Sequence, residues 1–232
     1  SLVPVVLCLF ILRTPDHPGK RFHASVLVSH FLDLKYLFQQ AVLRRTGLYI
    51  AFYWFVANFV GLTFFGFAKE LHPDSAEGGV AKSAALMFMI IGGGLILGSL
   101  LVSFLSRKGN RLPLSVFGGI GMAGGLALIG TLTPESTAWF AAVAGIGFAS
   151  GFFLVPLSAH LQDRIDAAHR GRVLAAQNLL ISLSGIVAIL ASTTMKFGGL
   201  AVSTQTLVLV PLTVIVSFAL HRMLKTSALQ AA

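Results

Sequence analysis

Six long apolar stretches, separated by short gaps that hold nearly all the charge, leave this chain few folds to choose from. They run roughly over 48–68, 83–105, 112–132, 138–160, 172–195 and 203–221. Each is close to the ~20 residues a helix needs to cross a bilayer core. No water is available inside a bilayer to bond an open backbone, so such stretches cross as helices. The expected fold is all-α: a polytopic membrane bundle of six transmembrane helices. Only 11% of the residues are charged, where a soluble domain carries about a quarter, and this excludes an ordinary water-soluble enzyme. The net charge of +9 would point to nucleic acid in a soluble protein. Here its location explains it better, and no nucleic-acid partner is expected.

The basic residues fall in every second gap. Arg13, Lys20, Arg21, Lys35, Arg44, Arg45, Arg107, Lys108, Arg111, Arg164, Arg170, Arg172, Arg222 and Lys225 occupy one set of alternate gaps; the other set holds Lys69, Lys82 and Lys196. Lys and Arg are retained on the cytoplasmic side, so both ends of the six-span unit are expected there. An even number of crossings agrees. The organisation read from the chain is the end of a preceding transmembrane helix at 1–12, a cytoplasmic linker with an amphipathic helix at 13–47, a six-helix transmembrane domain at 48–224 and a cytoplasmic tail at 225–232. The single cysteine, Cys8, sits in an apolar run and excludes an internal disulfide.

In the linker, Leu27, Phe31, Leu34, Phe38 and Val42 recur at helical spacing, with Asp33, Gln40 and Arg44 on other faces. Such a helix lies on the inner membrane surface or packs on the ends of the spans. The first span is crowded with aromatics. Trp54, Asn58, Gly61 and Phe65 share one face, and the Asn58 amide directs that face inward, toward a substrate cavity or a neighbouring helix. The next three spans contain GxxxG pairs, Gly94–Gly98, Gly121–Gly125 and Gly147–Gly151, which let backbones approach closely. Pro156 should bend the end of the fourth span. The fifth span carries Asn178, Ser182, Gly185, Ile189 and Ser192 on one face, with Gln177 beside them. His72, in the loop 69–82, reads as a solvated loop histidine.

Two short basic loops are the sharpest local signals. Gly98 begins a glycine-terminated helix end followed by Arg107, Lys108, Gly109 and Arg111. In the second loop, Gln162, Asp163, Arg164, Asp166, Arg170, Gly171 and Arg172 place acids beside bases, and Asp163 and Asp166 are expected to pair with Arg164, Arg170 or Arg172 as a latch between helix ends. Every acidic residue lies in a loop or at a helix end. A mid-membrane carboxylate is costly and marks proton relays, and none is present. No catalytic cluster, metal-ligand spacing or cofactor motif stands out.

Six spans with both ends inside, preceded by a long linker and the end of another span, resemble the C-terminal half of a major facilitator superfamily transporter. The loop from Gly98 to Arg111 resembles that superfamily's signature turn, with Ser106 where an acidic residue usually stands. More specifically, AFYWFVANFVGLTFF (51–65), IIGGGLILGSLLVSFLSRK (90–108) and GFFLVPLSAHLQDRIDAAHRGRVLAAQNLL (151–180) resemble the bacterial lysophospholipid transporter family. Pro156, Gln162, Arg164, Arg170, Gly171, Arg172 and Asn178 match that family's run; Ser182 and Gln177 stand where it often has Asn. The resemblance implies inward movement of lysophospholipid, chiefly lysophosphatidylethanolamine, across the bacterial inner membrane by alternating access. It implies a partner N-terminal six-helix half, a cytoplasmic acyltransferase acting downstream, and no cofactor. The other readings are an exporter of drugs or other amphiphiles from the same superfamily, and a non-transporting membrane scaffold for lipid enzymes.

Overall fold

The computed structural model describes residues 33–73, 77–107, 109 and 111–229, and it is all-helical over them. The expectations for residues 1–12, for Leu27 and Phe31 and for Lys108 lie outside the described residues. A short helical segment at 33–39 is followed by six long helices: α1 (Ala41–Leu71), α2 (Glu77–Leu105), α3 (Leu114–Thr131), α4 (Thr137–Asp163), α5 (Arg170–Phe197) and α6 (Val202–Leu229). A 3₁₀ turn, Ala167–His169, precedes α5. All six helices are long and apolar enough to cross a membrane. Large apolar side chains such as Met89, Phe117 and Phe197 stand on their outer surfaces, as lipid-facing helices require.

Local chemistry sets the helix ends. Ser136 caps α4, its hydroxyl accepting from the Trp139 N–H at 3.2 Å, which satisfies one of the donors a helix start leaves open. Gln40 is extended and separates the 33–39 segment from α1. As a result α1 begins at Ala41, ahead of the apolar stretch, and Arg44 and Arg45 belong to its first turns. Pro156 and Pro211 both lie inside continuous helices. His72 is half-buried, its Nε2 within 2.8 Å of the Ser83 hydroxyl; it bridges the end of α1 to the start of α2 and is not a solvated loop residue.

Glycines fix how the helices meet. A Cβ on Gly94 would strike the Ala144 carbonyl, one on Gly98 the Phe148 carbonyl, and one on Gly147 the Ile91 carbonyl. Two of the GxxxG pairs therefore face each other across the α2–α4 contact, running in the same direction. α2 runs through Gly98 to Leu105, where the apolar stretch ends, and the missing side chain at Gly98 serves packing. Gly118, Gly121 and Gly125 of α3 meet Phe153, Ala149 and Ile146 of α4 in antiparallel order. Gly47 meets Gln177, and Gly185 meets Asn58, so α1 and α5 run parallel. The helices thus alternate in direction. One end gathers Arg44, Arg45, Arg107, Arg111, Arg164, Arg170 and Arg172 and is called the basic end below.

Near the opposite end, Trp139 is fully buried. Its indole N–H donates to the Ile129 carbonyl at 3.1 Å, and its ring meets Phe67 edge-on with centroids 5.5 Å apart. A buried indole needs such an acceptor. This residue ties α4 to α3 and α1.

Candidate functional site

The α1 face predicted from spacing is open in the fold. Trp54 is 37% exposed and Phe65 52% exposed; Asn58 is exposed and Gly61 half-buried. On α5, Asn178, Ser182 and Ile189 are exposed, and Gly185 brings that helix against the Asn58 amide. The two polar faces therefore adjoin. Their hydrogen bonds are local: Asn58 Nδ2 donates to the Trp54 carbonyl at 2.7 Å, and the Ser182 hydroxyl donates to the Asn178 carbonyl at 3.0 Å. The Asn58 amide donates within its own helix while lying against Gly185 of α5. The result is a neutral polar strip on an otherwise apolar membrane surface.

Gln177 sits differently from its neighbours. It is only 4% exposed and donates from Nε2 to the Gly47 carbonyl at 3.2 Å. Glycine at 47 makes room for the amide, since a Cβ there would lie 2.7 Å from Gln177 Oε1. Oε1 has no hydrogen-bond partner, and neither has the buried hydroxyl of Thr46 next to Gly47. Gln177 is first a clamp between α1 and α5.

Trp54 stands on the rim of two pockets. The larger, about 220 Å³, lies between α1, α2 and α4 and is lined by Val60, Phe64, Phe88, Leu95 and Met122 among others. Its hydroxyls, Tyr53 and Ser150, lie beside each other. The smaller, about 170 Å³, lies toward the basic end between α1, α4 and α5, where Ser158, Gln162 and Gln177 supply polar groups. Residue spacing identified Trp54 and Asn58. It missed Phe88 and Ser150, which come from other helices and carry no pattern that points at Trp54.

The basic-end loops are tied differently from the expected latch. Arg172 Nε donates to Asp33 Oδ1 at 2.6 Å, and its guanidinium lies over the Tyr36 ring, 5.6 Å from the centroid. Tyr36 in turn stacks on His169 at 4.9 Å, and His169 Nδ1 is 3.2 Å from Asp166 Oδ2. Among the described residues Asp163 makes no ion pair, and neither Arg164 nor Arg170 pairs with an acid. The reason is local: the 3₁₀ turn holds Asp166 beside His169, three residues on, while Arg172 reaches the 33–39 segment instead. Asp33 is 8% exposed, and a buried carboxylate needs such a partner. Of the linker stripe, Leu34 and Phe38 pack against the core as expected, but Asp33 and Leu37 are the buried positions and Val42 is 47% exposed. In the first loop, Arg107 covers the Phe104 ring at 4.6 Å, Gly109 turns the chain at φ 127°, and Arg111 is exposed; Gly171 is open, with nothing near a Cβ placed on it.

Six long apolar helices that alternate in direction define a multi-pass membrane protein. The family model of the Major Facilitator Superfamily matches residues 1–189, and the chain belongs to that superfamily of membrane transporters. No curated protein and no solved structure matched the chain.

Proposed function

We propose that the protein moves a lysophospholipid across the bacterial inner membrane by alternating access, with the six spans acting as the C-terminal half of a twelve-helix transporter and the basic end facing the cytoplasm. The observation that carries this reading is the uncharged face of Trp54, Asn58, Asn178 and Ser182, open beside an apolar pocket. A sugar or an ion would ask for more polar or charged groups than this face supplies. Acidic residues keep to the helix ends, so this part of the protein offers no proton relay of its own. Substrate sites of such transporters lie near mid-membrane between repeats, and Trp54 and Asn58 fall near the middle of α1. The orientation rests on retention of Lys and Arg inside. A cytoplasmic acyltransferase is the partner that would consume the delivered lipid.

The test is uptake of labelled lysophospholipid by proteoliposomes holding the intact protein. The expected result is protein-dependent transfer, slowed about tenfold in Asn58→Leu, which corresponds to about 1.4 kcal/mol. Transfer equal to that of empty liposomes, with a drug-like cation moved instead, would replace the lysolipid reading with an amphiphile exporter.

A further inference from the structure

The two pockets on either side of Trp54 divide one site between two chemistries. The larger is lined almost wholly by apolar side chains, with the Tyr53 and Ser150 hydroxyls beside each other, and it offers little to a polar guest. An apolar cavity of about 150 Å³ stays dry and takes up benzene; at about 220 Å³ this one has room for a longer piece of hydrocarbon. Gly92 lines it and meets nothing within 4 Å of an added Cβ, and Gly61 meets only the Phe88 ring. The glycines leave that space empty, since here they are not closing a helix contact as Gly94 and Gly98 do. Trp54 and Phe88, both exposed, line it.

The smaller pocket adds polar side chains to a lining that is still mostly apolar. Ser158 and Gln162 line it with side chains that bond no other described residue, while Gln177 stays clamped to Gly47 with its Oε1 enclosed there. It contains polar groups and no charged side chain. From Ile50, in the polar pocket, to Phe64, in the apolar one, the α1 axis advances about 21 Å at ~1.5 Å per residue.

We propose that these pockets form a two-part site for a single-chain amphiphile: the hydrocarbon tail enters the cavity between α1, α2 and α4, and an uncharged or zwitterionic head sits in the polar pocket between α1, α4 and α5. Trp54 stands at the junction, an amphipathic ring suited to a tail–head boundary. This rests on the transport reading for the idea that the guest is cargo, but the binding it describes is measurable without transport. A hydrocarbon tail could also come from a bilayer phospholipid, and the experiment separates the two sources.

The protein has two tryptophans; Trp139 is fully buried but packs on Phe64, which lines the cavity, so Trp139→Phe is the background in which bromine-labelled tails report on Trp54 alone. The intact protein in nanodiscs is titrated with a brominated single-chain lysolipid or with a brominated diacyl phospholipid. The expected result is saturable quenching by the single-chain lipid, absent in Trp54→Phe and lost in Gly92→Leu, with the diacyl lipid giving only unsaturated quenching in proportion to its fraction. An unlabelled zwitterionic competitor should restore fluorescence at a concentration about tenfold below an anionic competitor of the same chain, a factor equivalent to about 1.4 kcal/mol. Quenching that Gly92→Leu leaves unchanged would overturn the tail cavity, and saturation by the diacyl lipid would assign it to the bilayer. An anionic competitor as effective as the zwitterionic one would overturn the head assignment. If lysolipid transport fails while the quenching pattern holds, the transport reading falls and the site stands; the reverse result removes the site alone.

Discussion

Arg172 and Asp33 carry the clearest single-residue consequence. Asp33 is nearly buried and Arg172 half in solvent, the side chains being 11% and 52% exposed, so the pair is worth more than a surface ion pair and less than a buried one. Removing Arg172 leaves a buried carboxylate without its partner. Arg172→Ala should destabilise the protein by about 1–3 kcal/mol, the cost of orphaning such a group. Asp33→Asn should cost less. The double-mutant cycle, read from thermal unfolding in nanodiscs, should show a coupling of about 0.5–3 kcal/mol, and additive single effects would mean the contact contributes nothing. Sequence alone located Arg172 in a charged loop but gave it the wrong partner. Asp163 and Asp166 are closer in sequence than Asp33, and local spacing favours near neighbours. The 3₁₀ turn that redirects Asp166 to His169 has no signature in Ala167, Ala168 and His169. Trp54 and Asn58 were legible because four-residue spacing on a helix is enough to put two side chains on one face. The pockets were not, since Phe88, Ser150 and Gln162 come to Trp54 only through tertiary packing.

Between helices the glycine pattern separates structural positions from open ones. Gly147 lies against the backbone of α2, whereas Gly145, two residues away, meets nothing. Gly147→Leu should prevent close α2–α4 packing and abolish the folded protein or lower its midpoint strongly, since overpacking costs about 1–3 kcal/mol even where side chains can yield and here the obstacle is backbone. Gly145→Leu should be tolerated. Size-exclusion profiles and thermal unfolding of the two variants check this, and equal behaviour would show that the contact is looser than drawn. The sequence placed both GxxxG pairs in the membrane and assigned them to packing. What it did not contain was that Gly94–Gly98 and Gly147–Gly151 meet each other, because pairing depends on how non-consecutive helices come together. The helix starts were also blurred: α1 begins at Ala41 because Arg44 and Arg45 are compatible with helix, although they end the hydropathy signal.

Over the whole molecule, six spans, alternating direction and a basic end follow directly from hydropathy and the placement of Lys and Arg, because burial of backbone in lipid allows no other solution. Superfamily membership follows the same architecture. The finer claim is that the Trp54–Asn58 face and the adjoining Asn178 face line a path for an amphiphile and do not simply touch lipid. The most direct measurement replaces Cys8 with Ser and introduces single cysteines by Asn58→Cys, Asn178→Cys and Ile120→Cys, the last on an exposed apolar position of α3. Reaction with a membrane-impermeant thiol reagent is then followed in the intact protein, with and without a single-chain lysolipid. The account predicts that the cysteines at 58 and 178 react, that the one at 120 does not, and that lysolipid slows the first two. Cysteines at 58 and 178 that react no faster than the one at 120, with or without the lipid, would contradict it.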